Sequence, residues 1–314
     1  MPKAVRSKKS KPSVSVIGSG RLGTALAIAM SSADYRIEAV VTRHPASAKK
    51  AAALIGRATS ALTANDLQLL PPSRIVLITT PDDEIAHAAQ RLAGAQRNLV
   101  KARIVLHTSG ALSSDVLAPL AAMGFQVGSL HPLVSVSDPQ TGAMNLRRAF
   151  YCVEGDVGGA RVARAIVRDL KGRSFSICSS NKPLYHAAAV MASGQVVALF
   201  DLATEMLVRC GLDPGKARRV LRPLLESTVN NLGRSDPATA LTGTFARGDL
   251  ATVQSHLSAL GRHGLFVALD AYRALGIHAL DLAKKNGADP QTLEEISKAL
   301  ESFSPPRKKN RSDL

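Results

Sequence analysis

A few short stretches of this 314-residue chain hold side chains able to move a proton or fix an anion. In Lys182-Pro183-Leu184-Tyr185-His186, Lys182 and His186 are four residues apart, so a helix starting at Lys182 puts both on one face. An ammonium and an imidazole at that spacing suit proton transfer to a developing oxyanion or amine, or the capture of a carboxylate. The plain alternative is a solvated lysine beside a satisfied core histidine. His131-Pro132 closes an apolar run, where the imidazole serves as a proton donor or the dipeptide only bends the chain. Arg247 offers a guanidinium fork for an acid group, with a loop salt bridge as the alternative. Asp249, Thr252 and His256 share one helical stripe, and Asp249 is equally suited to capping the helix that begins there. His107-Thr108-Ser109-Gly110 ends a further apolar run. These are the groups that hydride transfer to a carbonyl or imine needs beside a nicotinamide: a proton donor, and donors or cations for the substrate's acid group. The three cysteines, Cys152, Cys178 and Cys210, have no metal-like spacing, so no metal is expected and reduced thiols in a cytoplasmic protein are the simplest account.

The element that would position this chemistry lies near the start. SVSVIGSGRLGTALAIAM (13–30) reads as a buried strand, the loop Gly18-Ser19-Gly20-Arg21-Leu22-Gly23, and an Ala/Leu-rich helix. Gly18 permits the turn, Gly20 lets a diphosphate approach the backbone, and Gly23 lets the helix pack closely on the strand. The second strand, 36–42, ends in Thr42-Arg43-His44 rather than in the acid that holds ribose hydroxyls. A hydroxyl and a guanidinium there suit a 2′-phosphate, so the expected cofactor is NADP; a solvated basic loop is the alternative. The strand 74–79 leads to Thr80-Pro81, and the strand 102–107 leads to Ser109-Gly110. All four residues stand at the carboxyl edge, where they would line the cofactor.

The remaining periodicity continues the alternation. Helices are expected over 45–55, 82–95, 112–123 and 160–170, strands over 125–129, 150–154 and 174–177, and a loop around Asp138-Pro139. Alternation of this kind implies an α/β fold with a doubly wound parallel sheet. After Cys178 only helical periodicity remains, beginning with a long apolar helix over 184–210 that must be buried, inside its domain or against a second subunit. The expected organisation is a basic tail (1–12), a dinucleotide-binding domain (13–178), a helical substrate and dimerisation domain (179–303) and a second basic tail (304–314). Both tails are expected to be disordered.

Composition is that of a globular protein, 46% hydrophobic and 20% charged. No apolar run reaches the ~18 residues of a membrane span, and no apolar segment follows the basic N-terminus as in a secretory signal. The net charge of +16 is half a property of the tails, which carry nine Lys and Arg against Asp313. Such tails attract polyanions weakly and without sequence preference, and no nucleic-acid-binding motif accompanies them.

With these residues in view, the chain resembles the Rossmann-like oxidoreductases whose C-terminal half is a domain of unknown function. It is distantly similar to the pyrroline-carboxylate reductase, ketopantoate reductase and 6-phosphogluconate dehydrogenase superfamily, and in its cofactor domain to deazaflavin-dependent NADP reductases. The segments that carry the resemblance are the glycine loop, 107–112, Ser129-Leu130-His131-Pro132-Leu133, 182–190, and 241–249 with Thr252, Val253 and His256. It implies an NADP-binding Rossmann domain, a helical domain that forms a homodimer, and a small acidic carbonyl, imine or alcohol substrate in the cleft between them. The Lys182–His186 helix start is similar to the catalytic lysine segment of the 6-phosphogluconate dehydrogenase relatives. Two positions depart from the pattern: Thr244 stands where Pro is expected, and Gly194 follows Ser193 where Asn is expected. A non-catalytic NADP-binding regulator or scaffold would keep the same fold.

Overall fold

The computed structural model describes residues 11–95 and 103–304. Of the two expected basic tails, all but Lys11, Pro12 and Ser304 lie outside the described residues. The chain divides into two compact units between Ser193 and Gly194. The break thus falls after the helix that opens with Lys182 rather than before it.

In the first unit the order is β1 (Val14–Ile17), α1 (Arg21–Ser31), β2 (Ile37–Thr42), α2 (Pro45–Ile55), β3 (Ser60–Thr63), β4 (Ile75–Ile78) and α3 (Asp82–Ala95). There follow β5 (Ile104–His107), α4 (Ala118–Ala121), β6 (Gln126–Pro132), α5 (Pro139–Leu146), β7 (Phe150–Gly155), α6 (Val157–Asp169), β8 (Arg173–Phe175) and α7 (Lys182–Met191). The eight strands form one sheet in the order β3-β2-β1-β4-β5-β6-β7-β8, a doubly wound arrangement in which the strand order reverses between β1 and β4. Alternate strand residues feed two cores. Val14, Val16, Leu77, Leu106 and Leu130 pack with α1 and α6 on one face, and Ile17, Val76, Ile78 and Val105 pack with α3 on the other.

Several local expectations are corrected. The sheet is not wholly parallel, because β7 runs antiparallel to β6; the segment between them forms α5, which packs against α1. Residues 138–146 are therefore a helix and not a loop: Asp138 accepts the amides of Gln140 and Thr141 as an N-cap, and Pro139 fills the first helical position. The helix expected over 112–123 shrinks to a 3₁₀ turn at 114–117 and the single turn α4, which contains Pro119. β3 is a short, half-exposed edge strand with too little apolar patterning to be read from sequence.

The second unit holds α8 (Gly194–Arg209), α9 (Pro214–Leu232), α10 (Pro237–Ala240), α11 (Leu250–Arg262), α12 (Phe266–Lys285) and α13 (Pro290–Ser302). Its core joins Val253 and Leu257 of α11, Leu269 and Leu280 of α12, and Ile296 and Leu300 of α13. The long helix expected over 184–210 is broken at Ala192-Ser193, where Ser193 Oγ donates back to the Ala189 carbonyl and Gly194, a poor helix former, follows. Nor is it buried within the chain. Residues 179–209 are long and apolar enough to cross a membrane by composition, yet only 6% of their most apolar window is buried.

One glycine of the first loop is a packing requirement. A Cβ at Gly23 would overlap the Gly18 carbonyl oxygen and Thr79 Oγ1. Gly23→Ala is expected to destabilise the fold by about 1–3 kcal/mol, read as a lowered thermal midpoint; an unchanged midpoint would show that α1 can move off β1 freely.

Candidate functional site

The parallel strands end side by side, so their loops line one sheet edge in the order β2, β1, β4, β5, β6. Along that edge stand Thr42-Arg43, then Gly18-Ser19-Gly20, Thr79-Thr80-Pro81, His107 to Gly110, and Ser129 to His131. A cleft of about 380 Å³ opens over the first three, lined among others by Gly18, Gly20, Thr42, Arg43, Thr80 and Pro81. Gly18 has a left-handed φ of +94°, and a Cβ there would lie 2.6 Å from the Thr80 amide nitrogen. Gly20 is different: a Cβ would meet nothing within 4 Å, so no protein atom requires its smallness. Helix α1 starts at this point without a side-chain cap and without an acid in its first turn, whereas α5, α6, α9, α11 and α13 each begin on a capping aspartate.

The fit of a dinucleotide can be tested on hydrogen bonding. Among the described residues, four buried side-chain polar atoms lack a partner: Ser19 Oγ, Thr80 Oγ1, His107 Nε2 and His186 Nδ1. The first two belong to the cleft, where diphosphate oxygens would satisfy them together with the open amides of α1. Ser19 and Thr80 therefore fit a bound cofactor. Arg21 is exposed, Gly23 is buried in packing, and neither they nor Leu22 line the cleft. Thr42 Oγ1 donates to the His44 carbonyl at 2.7 Å, and the Arg43 guanidinium reaches Glu84 at 3.3 Å on the surface.

Farther along the edge lies a polar cluster built by sheet register. His107 on β5 pairs with Ser129 on β6, and Ser129 pairs with Glu154 on β7, so three polar residues form one row across three strands. Lys182, at the start of α7, sits over this row. Its Nζ is fully buried and donates to Ser129 Oγ at 2.6 Å, the Ser109 carbonyl at 3.2 Å and Glu154 Oε1 at 3.3 Å. These bonds use all three ammonium donors and leave none for a substrate. Glu154 also accepts the Ser114 amide and hydroxyl. Burial lowers the Lys182 pKa, and the Glu154 charge opposes that shift.

Around this ammonium stand three imidazoles. His107 is fully buried; its Nδ1 accepts the Ser109 amide, and its Nε2 has no partner among the described residues. His131 Nδ1 is 2.6 Å from the Tyr185 hydroxyl. His186 lies edge-on to His131. Burial, followed by the Lys182 charge, pushes the His107 pKa down to about 3. Burial, then the His186 and Lys182 charges, pushes His131 down to about 4. Ser109 uses its side chain within its own loop, accepting the Ala111 and Leu112 amides.

The structure thus brings Lys182, His186, His131, Ser109 and Gly110 together. Arg247, Asp249 and His256 belong to the second unit. There Asp249 caps α11, accepting the Thr252 amide and hydroxyl, which lowers its pKa. His256 Nδ1 is 2.9 Å from the Tyr272 hydroxyl, and Arg247 is exposed. The sequence reading missed Glu154, Ser129 and Tyr185 as partners. The one signal available was an acid closing the apolar run Phe150 to Val153, where a buried cation would be its natural complement.

Comparison with known proteins bears on the domains and the fold. Residues 2–132 match the Rossmann-like domain, and residues 149–279 match the domain of unknown function DUF2520. The chain is therefore a Rossmann-like protein with a DUF2520 domain as its second part. No curated protein matches its sequence. Solved structures that share the fold include the following three. A Bacteroides fragilis protein described as an NADP oxidoreductase is 22% identical with a TM-score of 0.71, covering 87% of this chain and 99% of that one. A Thermotoga maritima protein is 23% identical with a TM-score of 0.66 over the same shares. Plasmodium falciparum pyrroline carboxylate reductase, solved with NADP bound, is 12% identical with a TM-score of 0.55, covering 92% and 99%.

The depressed imidazoles make stability depend on pH in a defined direction. A group whose folded pKa lies below its unfolded value near 6.5 contributes stability above pH 6.5 and loses it as pH falls towards the folded value. Unfolding midpoints in urea should therefore decline from about pH 6.5 to pH 4, and His131→Asn should flatten part of the decline. A midpoint constant over that range would mean that these rings are not held neutral.

Proposed function

We propose that this protein is an NADP-dependent oxidoreductase that moves a hydride between the nicotinamide and a small acidic carbonyl, imine or alcohol substrate. One observation carries the reading. The partnerless buried polar atoms fall in two groups: the hydroxyls of Ser19 and Thr80 in the glycine-loop cleft, and the imidazole nitrogens of His107 at the end of β5 and of His186 on α7 over Gly110. NADP, when bound, supplies the hydride donor or acceptor. Ser19, Thr80 and the uncapped α1 start hold its diphosphate, and Gly20 leaves the backbone accessible. Arg43 and Thr42 take the 2′-phosphate; the exposed Arg43–Glu84 pair contributes at most ~1 kcal/mol and yields to that anion. Pro81, Ser109 and Gly110 face the nicotinamide half. Lys182 is a fixed cation that orients the strand-edge loop. His186, with His131 behind it, presents the polar edge to the reacting oxygen or nitrogen. In the second unit Arg247 is the candidate clamp for an acid group, with Asp249 capping the helix that follows and His256 held by Tyr272.

NADPH is expected to bind at least tenfold more tightly than NADH by calorimetry, about 1.4 kcal/mol, and Arg43→Ala should abolish the difference. Gly20→Ala should weaken both ligands while shifting stability by no more than about 1 kcal/mol. A preference for NADH would overturn the role of Arg43. With a panel of small keto acids, imines and alcohols, His186→Ala should lower cofactor turnover at least tenfold. Cofactor binding without turnover on any member would favour a regulator or scaffold instead.

We also infer that the protein is a homodimer. Exposed apolar side chains concentrate between residues 184 and 232, including Leu184 at 75%, Val197 at 70% and Leu224 at 64% exposure. The second unit also has an apolar groove of about 320 Å³, lined by Leu199, Met206, Leu275 and Ala279. Water-exposed surface of this kind marks a protein interface; the break at Ala192-Ser193 and the charges of Asp201 and Glu205 argue against lipid as the cover. Sedimentation should give twice the chain mass, and Leu224→Glu should yield the monomer. A monomeric wild type at high concentration would refute the assembly.

A further inference from the structure

The strand that carries the glycine loop, β1, lies between β2 and β4 in the sheet. Arg43 follows β2, and Glu84 stands in the first turn of α3, after β4. The two meet across the loop, with the guanidinium 3.3 Å from Glu84 Oε1. Both side chains line the cofactor cleft, as do His44, Ser47 and Arg91. Arg91 lies two turns beyond Glu84 on the same face of α3 and makes no ion pair among the described residues. Among the described residues that line the cleft, Glu84 is the one acid. The Glu84 side chain is 32% exposed against 75% for Arg43, so the carboxylate is the anchored partner and the guanidinium the one free to turn.

We propose that Glu84 is a specificity-determining residue of this cleft: it accepts a ribose hydroxyl of a dinucleotide that lacks the 2′-phosphate, and it competes for Arg43 with one that carries it. The proposal rests on the dinucleotide reading of the cleft. A Rossmann domain that takes NAD commonly ends its second strand in an acid, which accepts the ribose hydroxyl. Here β2 ends in Thr42 and Arg43 follows, so that position offers no carboxylate. Glu84 supplies one from the far side of the glycine loop, against the very guanidinium that suits a 2′-phosphate. The two ligands then make opposite demands. A ribose hydroxyl donates to Glu84 while Arg43 stays paired. A phosphate dianion has to draw Arg43 away from Glu84, and the anchored carboxylate is left beside a like charge, with Arg91 as the second cation of the cleft. The preference for the phosphorylated cofactor that Arg43 sets is therefore held in check by Glu84, and the cleft accepts both forms with unequal affinity.

Binding calorimetry on the full-length protein tests this. Glu84→Gln keeps the size of the side chain, and Asp82 and Asp83 still open α3. In that variant NADPH should bind about threefold more tightly than in wild type and NADH about threefold more weakly, the scale of an exposed charge contact. The gain for NADPH should shrink as salt rises from about 50 mM to about 500 mM, because exposed charges are screened. Adenosine 2′,5′-bisphosphate and ADP should repeat the two shifts, which assigns them to the adenosine ribose and not to the nicotinamide. Should Glu84→Gln fail to fold, Glu84→Asp draws the charge back by one methylene and should lose NADH affinity in the same direction. NADPH affinity unmoved or weakened in Glu84→Gln overturns the proposal and leaves Glu84 as a support for Arg43. So does NADH affinity unchanged in both variants. A wild type that binds neither dinucleotide sinks the oxidoreductase reading and the role of Glu84 together, whereas binding with both shifts but no turnover on any substrate sinks the oxidoreductase reading alone.

Discussion

The buried ammonium of Lys182 is the constraint around which the first unit's functional edge is arranged. A charge with no exposed surface is tolerable only where its donors are all used and a counter-charge is near. Its partners come from three strands' worth of chain: the loop after β5, the middle of β6 and the end of β7. Removing the carboxylate of such a pair commonly costs about 3–5 kcal/mol, because the remaining charge stays buried. The same ammonium therefore fixes α7 against the sheet and adds to the burial that disfavours protonation of His107 and His131.

The antiparallel seam between β6 and β7 is what makes this possible. Had β7 followed the parallel pattern, its last residues would stand at the edge where the loops gather, and Glu154 would face solvent. Running the other way, β7 brings Glu154 opposite Ser129, inside the sheet, where a carboxylate can be shared between Lys182 and Ser114. The cofactor cleft is independent of that seam. It depends on the contact between Gly18, Gly23 and Thr79, which sets the distance of α1 from β1.

Much of the first unit was legible in the sequence because its signals are local. The strand–glycine loop–helix of 13–30, the helix 45–55 between Pro45 and Gly56, and the helix 82–95 opened by acids each carry their own start and stop marks. Lys182, His186, His131, Ser109 and Gly110 of the strand-edge cluster could be named as candidates, but not the part of Glu154, Ser129 and Tyr185, nor the arrangement. Lys182 meets groups 28 to 73 positions earlier in the chain, and no periodicity reports a register across three strands. The antiparallel direction of β7 was invisible for the same reason. α5 was hidden by its Asp-Pro start, which serves a turn and a helix cap equally well. In the second unit the helices were evident from periodicity. What periodicity could not show is that apolar residues on α7, α8 and α9 stay uncovered within one chain.

The confinement of Lys182 has a further chemical meaning. A free primary amine beside a carbonyl substrate is reactive: it adds to the carbon and loses water to give an imine. Attack needs an unshared electron pair and room to approach. Lys182 lacks the room, since its nitrogen is enclosed by Ser109, Ser129 and Glu154. An amine enclosed in this way anchors α7 to the sheet and is withheld from addition chemistry.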